Sequence, residues 1–227
     1  MDEPTGVGRR GLLVAGLAMA GAALVAVACL VYVVAGPDAP AGDTRALRWF
    51  VDDRSPTLLR LARDGTDLGL VGVLMAIAVA VGLLLRRRGL SWFEALAPLV
   101  SLVVAALVTV AIKGVVGRPG PQHVLGTAPT PGTSFPSGHA ADATALFVSI
   151  ALLLVVRVVR RRAAQVAVVA VGVTLPLLVG LSRLVLDVHW PTDVLAGWAI
   201  GAFVAVGVTV LALHTGGPVP TSPDGPD

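Results

Sequence analysis

Lysine and cysteine each occur once in the 227 residues, as Lys113 and Cys29. A single cysteine excludes a disulfide framework and a cysteine-based zinc cluster. Cys29 lies inside an apolar run that continues beyond it as Leu-Val-Tyr-Val-Val, which fits a small buried hydrophobe better than an acylated lipoprotein residue. Charge is scarce as well: 14% of residues are charged, against about 25% in an ordinary soluble domain. With 56% hydrophobic residues and a mean hydropathy of +0.86, a soluble globular protein is excluded, and so is a disordered chain, which needs the opposite balance. The 26 glycines and 16 prolines follow no three-residue period, so collagen is excluded. Strand-length alternation of polar and apolar residues, internal repeats and the paired broken helices of transporters are all missing. A single polytopic, all-α membrane domain remains.

What the sequence has in abundance is long apolar runs. A helix needs about 20 apolar residues to cross about 30 Å of hydrocarbon, and that window selects 11–35, 68–85, 95–112, 140–156, 163–181 and 194–213. The expectation is a six-helix bundle over residues 1–213, followed by a disordered proline- and glycine-rich tail over 214–227. The first run follows Arg9 and Arg10 as a signal peptide would, but its 25 residues exceed the roughly 7–15 of such a core. Arginines cluster at 9–10, 86–88 and 157–162. The rule that basic loops stay inside puts those clusters and both termini in the cytoplasm. The loops 36–67, 113–139 and 182–193 then face outward. The first of these carries five arginines and five aspartates after Gly42, with Leu47, Phe50, Val51, Leu58 and Leu61 spaced as in short amphipathic helices lying on the membrane surface.

Three of the four histidines, the lone lysine, Arg118 and Arg183 all fall on that outer side. Ionisable groups at membrane depth are costly, so their default reading is functional. Ser137-Gly138-His139 opens the fourth span, where free backbone N–H groups and the helix dipole suit a phosphate. Lys113 and Arg183 end the third and fifth spans and supply charged donors for an oxyanion. His189 and Asp193 are four apart, with Pro191 suited to a first-turn position, so the carboxylate holds one imidazole nitrogen and leaves the other as nucleophile or base. His139 is placed to protonate a leaving group. Together these residues describe a phosphoryl-transfer site working through a covalent phosphohistidine. His139, His189 and Asp193 also have metal-ligand chemistry, but the neighbouring cations would repel a metal; the expectation is no metal and no cofactor. Asp142 follows His139 by three and would tune it or bond across helices; Asp187 would pair with an outer arginine. Trp49, Trp92, Trp190 and Trp198 read as interface anchors or packing, and His123 and His214 as non-catalytic.

The strings Ser182-Arg183-x5-His189-x3-Asp193 and Pro136-Ser137-Gly138-His139, with Lys113 and Arg118-Pro119 upstream, resemble the type 2 phosphatidic acid phosphatase (lipid phosphate phosphatase) superfamily over roughly residues 60–213. That resemblance implies a bacterial membrane enzyme, a helical bundle that dephosphorylates lipid phosphates without a metal, with no nucleic-acid partner. It implies His189 as nucleophile, Asp193 as its orienting partner and His139 as general acid. It implies a phosphate cradle of Lys113, Ser137, Gly138 and Arg183. The first block departs from the pattern: the family's arginine falls at position 120, which is glycine here, and Arg118 two residues earlier is expected to supply its charge. The implied substrate is a polyprenyl (undecaprenyl) diphosphate or monophosphate, with phosphatidate, phosphatidylglycerol phosphate or transfer to an alcohol as alternatives. From another class, a non-enzymatic membrane protein with a decayed site stays open, on the strength of Gly120 alone.

Overall fold

The computed structural model describes residues 8–37, 39–122 and 132–216, and every element among them is helical. The chain runs α1 (Arg9–Ala35), α2 (Ala41–Val51), α3 (Pro56–Asp67), α4 (Val71–Arg87), α5 (Trp92–Val116), α6 (Gly138–Leu153, continued by a wider π turn Leu154–Val158), α7 (Arg162–Val185) and α8 (Pro191–Thr215). Among the described residues, five helices are long and apolar enough to cross a membrane, and a sixth crossing results if α3 and α4 count as one span bent by 51°. All six predicted runs are therefore found as helices. α8 continues through His214 and Thr215, past the predicted end of the span at 213. The rest of the predicted tail, like His123, lies outside the described residues.

Three of the helix starts have a local cause. Ser91 and Glu94 form a reciprocal capping box that starts α5. Ser55 accepts the Leu58 amide in front of Pro56 and starts α3. Pro191 occupies the first turn of α8, where its missing N–H costs nothing.

α8 is the central helix, packed against α1, α5 and α6. Its contact with α6 depends on small residues, because lipid offers no hydrophobic drive for helices to associate and close backbone approach must supply the attraction. A Cβ on Gly197 would sit 2.5 Å from the Ser137 carbonyl, and one on Gly201 would collide with that of Ala141. The bundle core forms from Leu74, Ala78, Leu102, Ala143, Leu146, Phe147 and Val179. At the far end of the bundle, away from the site, Glu94 is buried and pairs with Arg157 at 2.5 Å.

The amphipathic helices α2 and α3 exist as expected, but α2 does not rest on lipid with its apolar face. Leu47 is fully buried among Ala140, Leu184, Trp190 and Val194. Asp43, one turn earlier, is buried on the same face. α2 is thus a wedge across the ends of α6, α7 and α8.

Candidate active site

The end of α5, the start of α6, the end of α7 and the start of α8 meet at one end of the bundle. They enclose a cavity of about 190 Å³ whose lining includes Lys113, Gly120, Gly138, His139, Arg183 and His189. The structure brings together both histidines, the lysine, one arginine and the first-turn glycine.

His189 sits in the turn just before α8, with its Nδ1 3.5 Å from Asp193 Oδ2. This separation is longer than a well-formed hydrogen bond, and the buried Nδ1 has no shorter polar contact among the described residues. It leaves Nε2 as the nitrogen opposite the carboxylate. Burial holds this imidazole below the ordinary histidine pKa; Asp193 pulls it upward, while Arg183 and Lys113 add to the depression. The neutral, nucleophilic ring is the favoured form.

Asp193 is fully buried and fully used. Its Oδ2 also accepts the Trp190 amide at 2.9 Å, its Oδ1 accepts Arg118 Nη1 at 2.6 Å, and its carbonyl accepts the Ser137 amide at 2.9 Å. The last bond ties the first turn of α8 to the start of α6, so the elements carrying the two histidines are linked through one residue.

Lys113 Nζ donates to the carbonyls of Thr133 (2.6 Å) and Ser134 (3.2 Å), which places its charge at the cavity wall. Arg183 Nη1 donates to Thr66 Oγ1 at 2.7 Å, while its Nε is buried without a partner. Thr66 ends α3 at the bend before α4. Three residues on, a Cβ at Gly69 would come within 2.8 Å of the His139 ring. The α3–α4 elbow therefore touches both a phosphate-binding candidate and the candidate acid. Ser137 has its amide taken by Asp193 and its hydroxyl buried without a partner, and it does not line the cavity; Gly138 does. Asp142 is buried one turn below His139 with Oδ1 unpartnered. Asp187 is buried and adopts a left-handed φ of 58° in the α7–α8 turn. Among the described residues no three His, Cys, Asp or Glu side chains converge as metal ligands.

Arg118, expected to supply the charge missing at position 120, does not line the cavity. Its Nη1 bonds Asp193 Oδ1 (2.6 Å) and Thr192 Oγ1 (2.8 Å), and its Nη2 bonds Asp43 Oδ2 (2.6 Å). Its guanidinium also lies 5.3 Å from the centroid of the Trp190 ring. Two buried carboxylates hold the fork more strongly than an open pocket would. Sequence reasoning missed Asp43 and Thr66 because their partners are 75 or more positions away. The one available signal for Asp43 was its i,i+4 register with Leu47, which put an acid on the apolar stripe of α2. Trp190, read as an interface anchor or packing, is core: it is buried and donates to the Pro119 carbonyl at 3.0 Å.

This chain is similar in sequence to known lipid phosphatases and in fold to a solved membrane phosphatase. The decaprenylphosphoryl-5-phosphoribose phosphatase of Mycobacterium tuberculosis is 35% identical over 159 residues, 66% of this chain and 77% of that protein. The lipid A 1-phosphatase of Rhizobium johnstonii is 30% identical over 134 residues, 55% of this chain, and the match spans only half of that relative's length. The crystal structure of a transmembrane PAP2-type phosphatidylglycerolphosphate phosphatase from Bacillus subtilis superposes with a TM-score of 0.71 at 25% identity, covering 86% of this chain and 93% of that one. Residues 94–215 match the PAP2 superfamily, and the chain is a membrane-spanning member of that superfamily, related to lipid phosphatases.

Proposed function

We propose that the protein is a lipid phosphate phosphohydrolase acting through a phosphohistidine. The observation that carries this reading is the convergence of His189, His139, Lys113 and Arg183 on one cavity beside a buried carboxylate. The phosphate docks against Lys113, Arg183 and the first-turn amide of Gly138, where cations and helix dipole offset its charge. His189 Nε2 attacks phosphorus and the bond to the leaving oxygen breaks, with His139 donating a proton to that oxygen. Water then attacks the phosphohistidine, the P–N bond breaks, His139 takes back a proton and inorganic phosphate departs. Asp193 favours the Nδ1–H form of His189 and steadies the positive charge that develops on it. Arg118 acts on this carboxylate rather than on the phosphate.

A cavity of about 190 Å³ is smaller than the roughly 300–1,000 Å³ of drug-sized ligand sites. It suits a headgroup phosphate while the rest of an amphiphile stays in the bilayer. Polyprenyl-linked phosphates rank first, since the Mycobacterium relative, matched over most of its length, is named for such a substrate. The site would face the extracytoplasmic side of the cell membrane, with both termini inside, because Arg86–Arg88 and Arg160–Arg162 crowd the opposite end.

The test is phosphate release from a panel in detergent with chelator present: polyprenyl phosphate and diphosphate, a polyprenylphosphoryl pentose phosphate, phosphatidate and phosphatidylglycerol phosphate. Turnover of at least one, lost in His189→Ala, is expected. No turnover of any, or full activity in His189→Ala, would end the proposal.

A further inference from the structure

Asp43 lies outside the span that matches the family, on a wedge helix that supplies none of the cavity lining. Its side chain is nonetheless only 2% exposed. Oδ2 accepts from Arg118 Nη2 at 2.6 Å and from Thr192 Oγ1 at 2.5 Å, and Oδ1 accepts the Thr192 amide at 3.0 Å. A carboxylate from α2 thus caps the first turn of α8 from outside and takes one arm of Arg118.

A guanidinium facing a lone carboxylate prefers to grip both oxygens with two parallel bonds. Here it cannot, because its second arm is engaged. Arg118 holds Asp193 by Oδ1 only, and Oδ2 is left for the Trp190 amide and for His189 Nδ1. We propose that Asp43 is a positioning residue of the reaction: by occupying Nη2 of Arg118 it keeps Asp193 Oδ2 available to orient His189. Without Asp43, Nη2 turns to Oδ2, and the imidazole loses the acceptor that fixes its tautomer. Arg183 from α7, Lys113 from α5 and His139 from α6 line the cavity with His189. None of these three carries a carboxylate that could replace that of Asp193.

The kinetic arm of the test rests on the phosphatase reading; the spectroscopic arm does not. In the full chain in detergent, Asp43→Asn is expected to lower kcat by about 10–100-fold with KM changed by less than about 3-fold, as loss of an outer supporting group does elsewhere. In 15N-histidine spectra, with the His189 signals identified by their loss in His189→Gln, the wild type shows one Nδ1–H tautomer and Asp43→Asn a mixture. If Asp43→Asn does not yield folded protein, Asp43→Ser, smaller and still an acceptor for the Thr192 amide, is read in the same way. An unchanged tautomer in a folded Asp43 variant overturns the proposal, as does an unchanged kcat in an active enzyme. Wild-type protein inactive on every lipid phosphate would instead defeat the functional reading, leaving the tautomer to decide the role of Asp43.

Discussion

Replacing Arg118 by alanine separates two ways of reading the same residue. If the guanidinium bound substrate phosphate, its loss would remove a charge-assisted hydrogen bond of about 1.5–3 kcal/mol, weakening inhibition by inorganic phosphate roughly 10- to 150-fold. The protein fold would hardly notice. The geometry says otherwise. Arg118 has a side-chain exposure of 2% and stands between Asp43 at 2% and Asp193 at 0%. Its removal leaves two buried carboxylates facing each other without a cation, and breaking a buried pair in this way costs about 3–5 kcal/mol. Arg118→Ala is therefore expected to unfold at clearly lower temperature in detergent and to lose most of its kcat. Inhibition by phosphate in the surviving folded fraction should change by less than about 3-fold, well below the charge-assisted range. The double replacement Arg118→Met with Asp43→Asn should recover part of the lost stability, since it removes an unpaired charge along with its partner. Arg183→Ala serves as the contrast, because Arg183 lines the cavity: phosphate inhibition should weaken there by tenfold or more. An Arg118→Ala protein with wild-type unfolding and kcat but tenfold weaker phosphate inhibition would refute the argument.

Two further outcomes follow from the same geometry. His189 is depressed below its ordinary value of 6.5 chiefly by burial. The neutral nucleophile should therefore persist through pH 6.5, and the acid limb of kcat/KM should fall only at lower pH; the same shift means that stability starts to decline as pH drops past the unfolded value near 6.5, because the unfolded chain takes the proton first. A pH–rate profile with its acid limb at or above 6.5 would contradict this. At the α3–α4 elbow, Thr66→Val removes the acceptor of Arg183, and Gly69→Ala pushes a methyl against the His139 ring. Thr66→Val should raise the phosphate inhibition constant, whereas Gly69→Ala should lower kcat, both measurable by steady-state kinetics; either variant behaving as wild type would remove the elbow from the mechanism.

The six apolar helical runs were legible because burial in lipid demands long uninterrupted apolar stretches. His189 and Asp193 were legible for a similar reason. Their relation is local, set by one turn of chain and by Pro191. Arg118 was not, since its place beside Gly120 in the sequence suggests the cavity while its actual partners arrive from α2 and α8. Thr66 and Asp43 depend on packing between helices separated by over a hundred residues in the case of Thr66 with Arg183 and Asp43 with Thr192. Asp43 could be noticed only as an acid out of place on an apolar stripe. The partner of the apolar face of α2 was hidden on the same account: Leu47 finds a protein pocket among Ala140, Leu184, Trp190 and Val194.

The wedge helix and the elbow both precede residues 94–215, the stretch that matches the family. A minimal version trimmed to the recognisable region would keep every reacting group and lose both braces. Transplanting the signature strings onto another bundle would meet the same difficulty: two imidazoles and their cations would be present, each free to swing. For anyone redesigning this scaffold, α2 and the α3–α4 elbow are worth keeping together with the motifs.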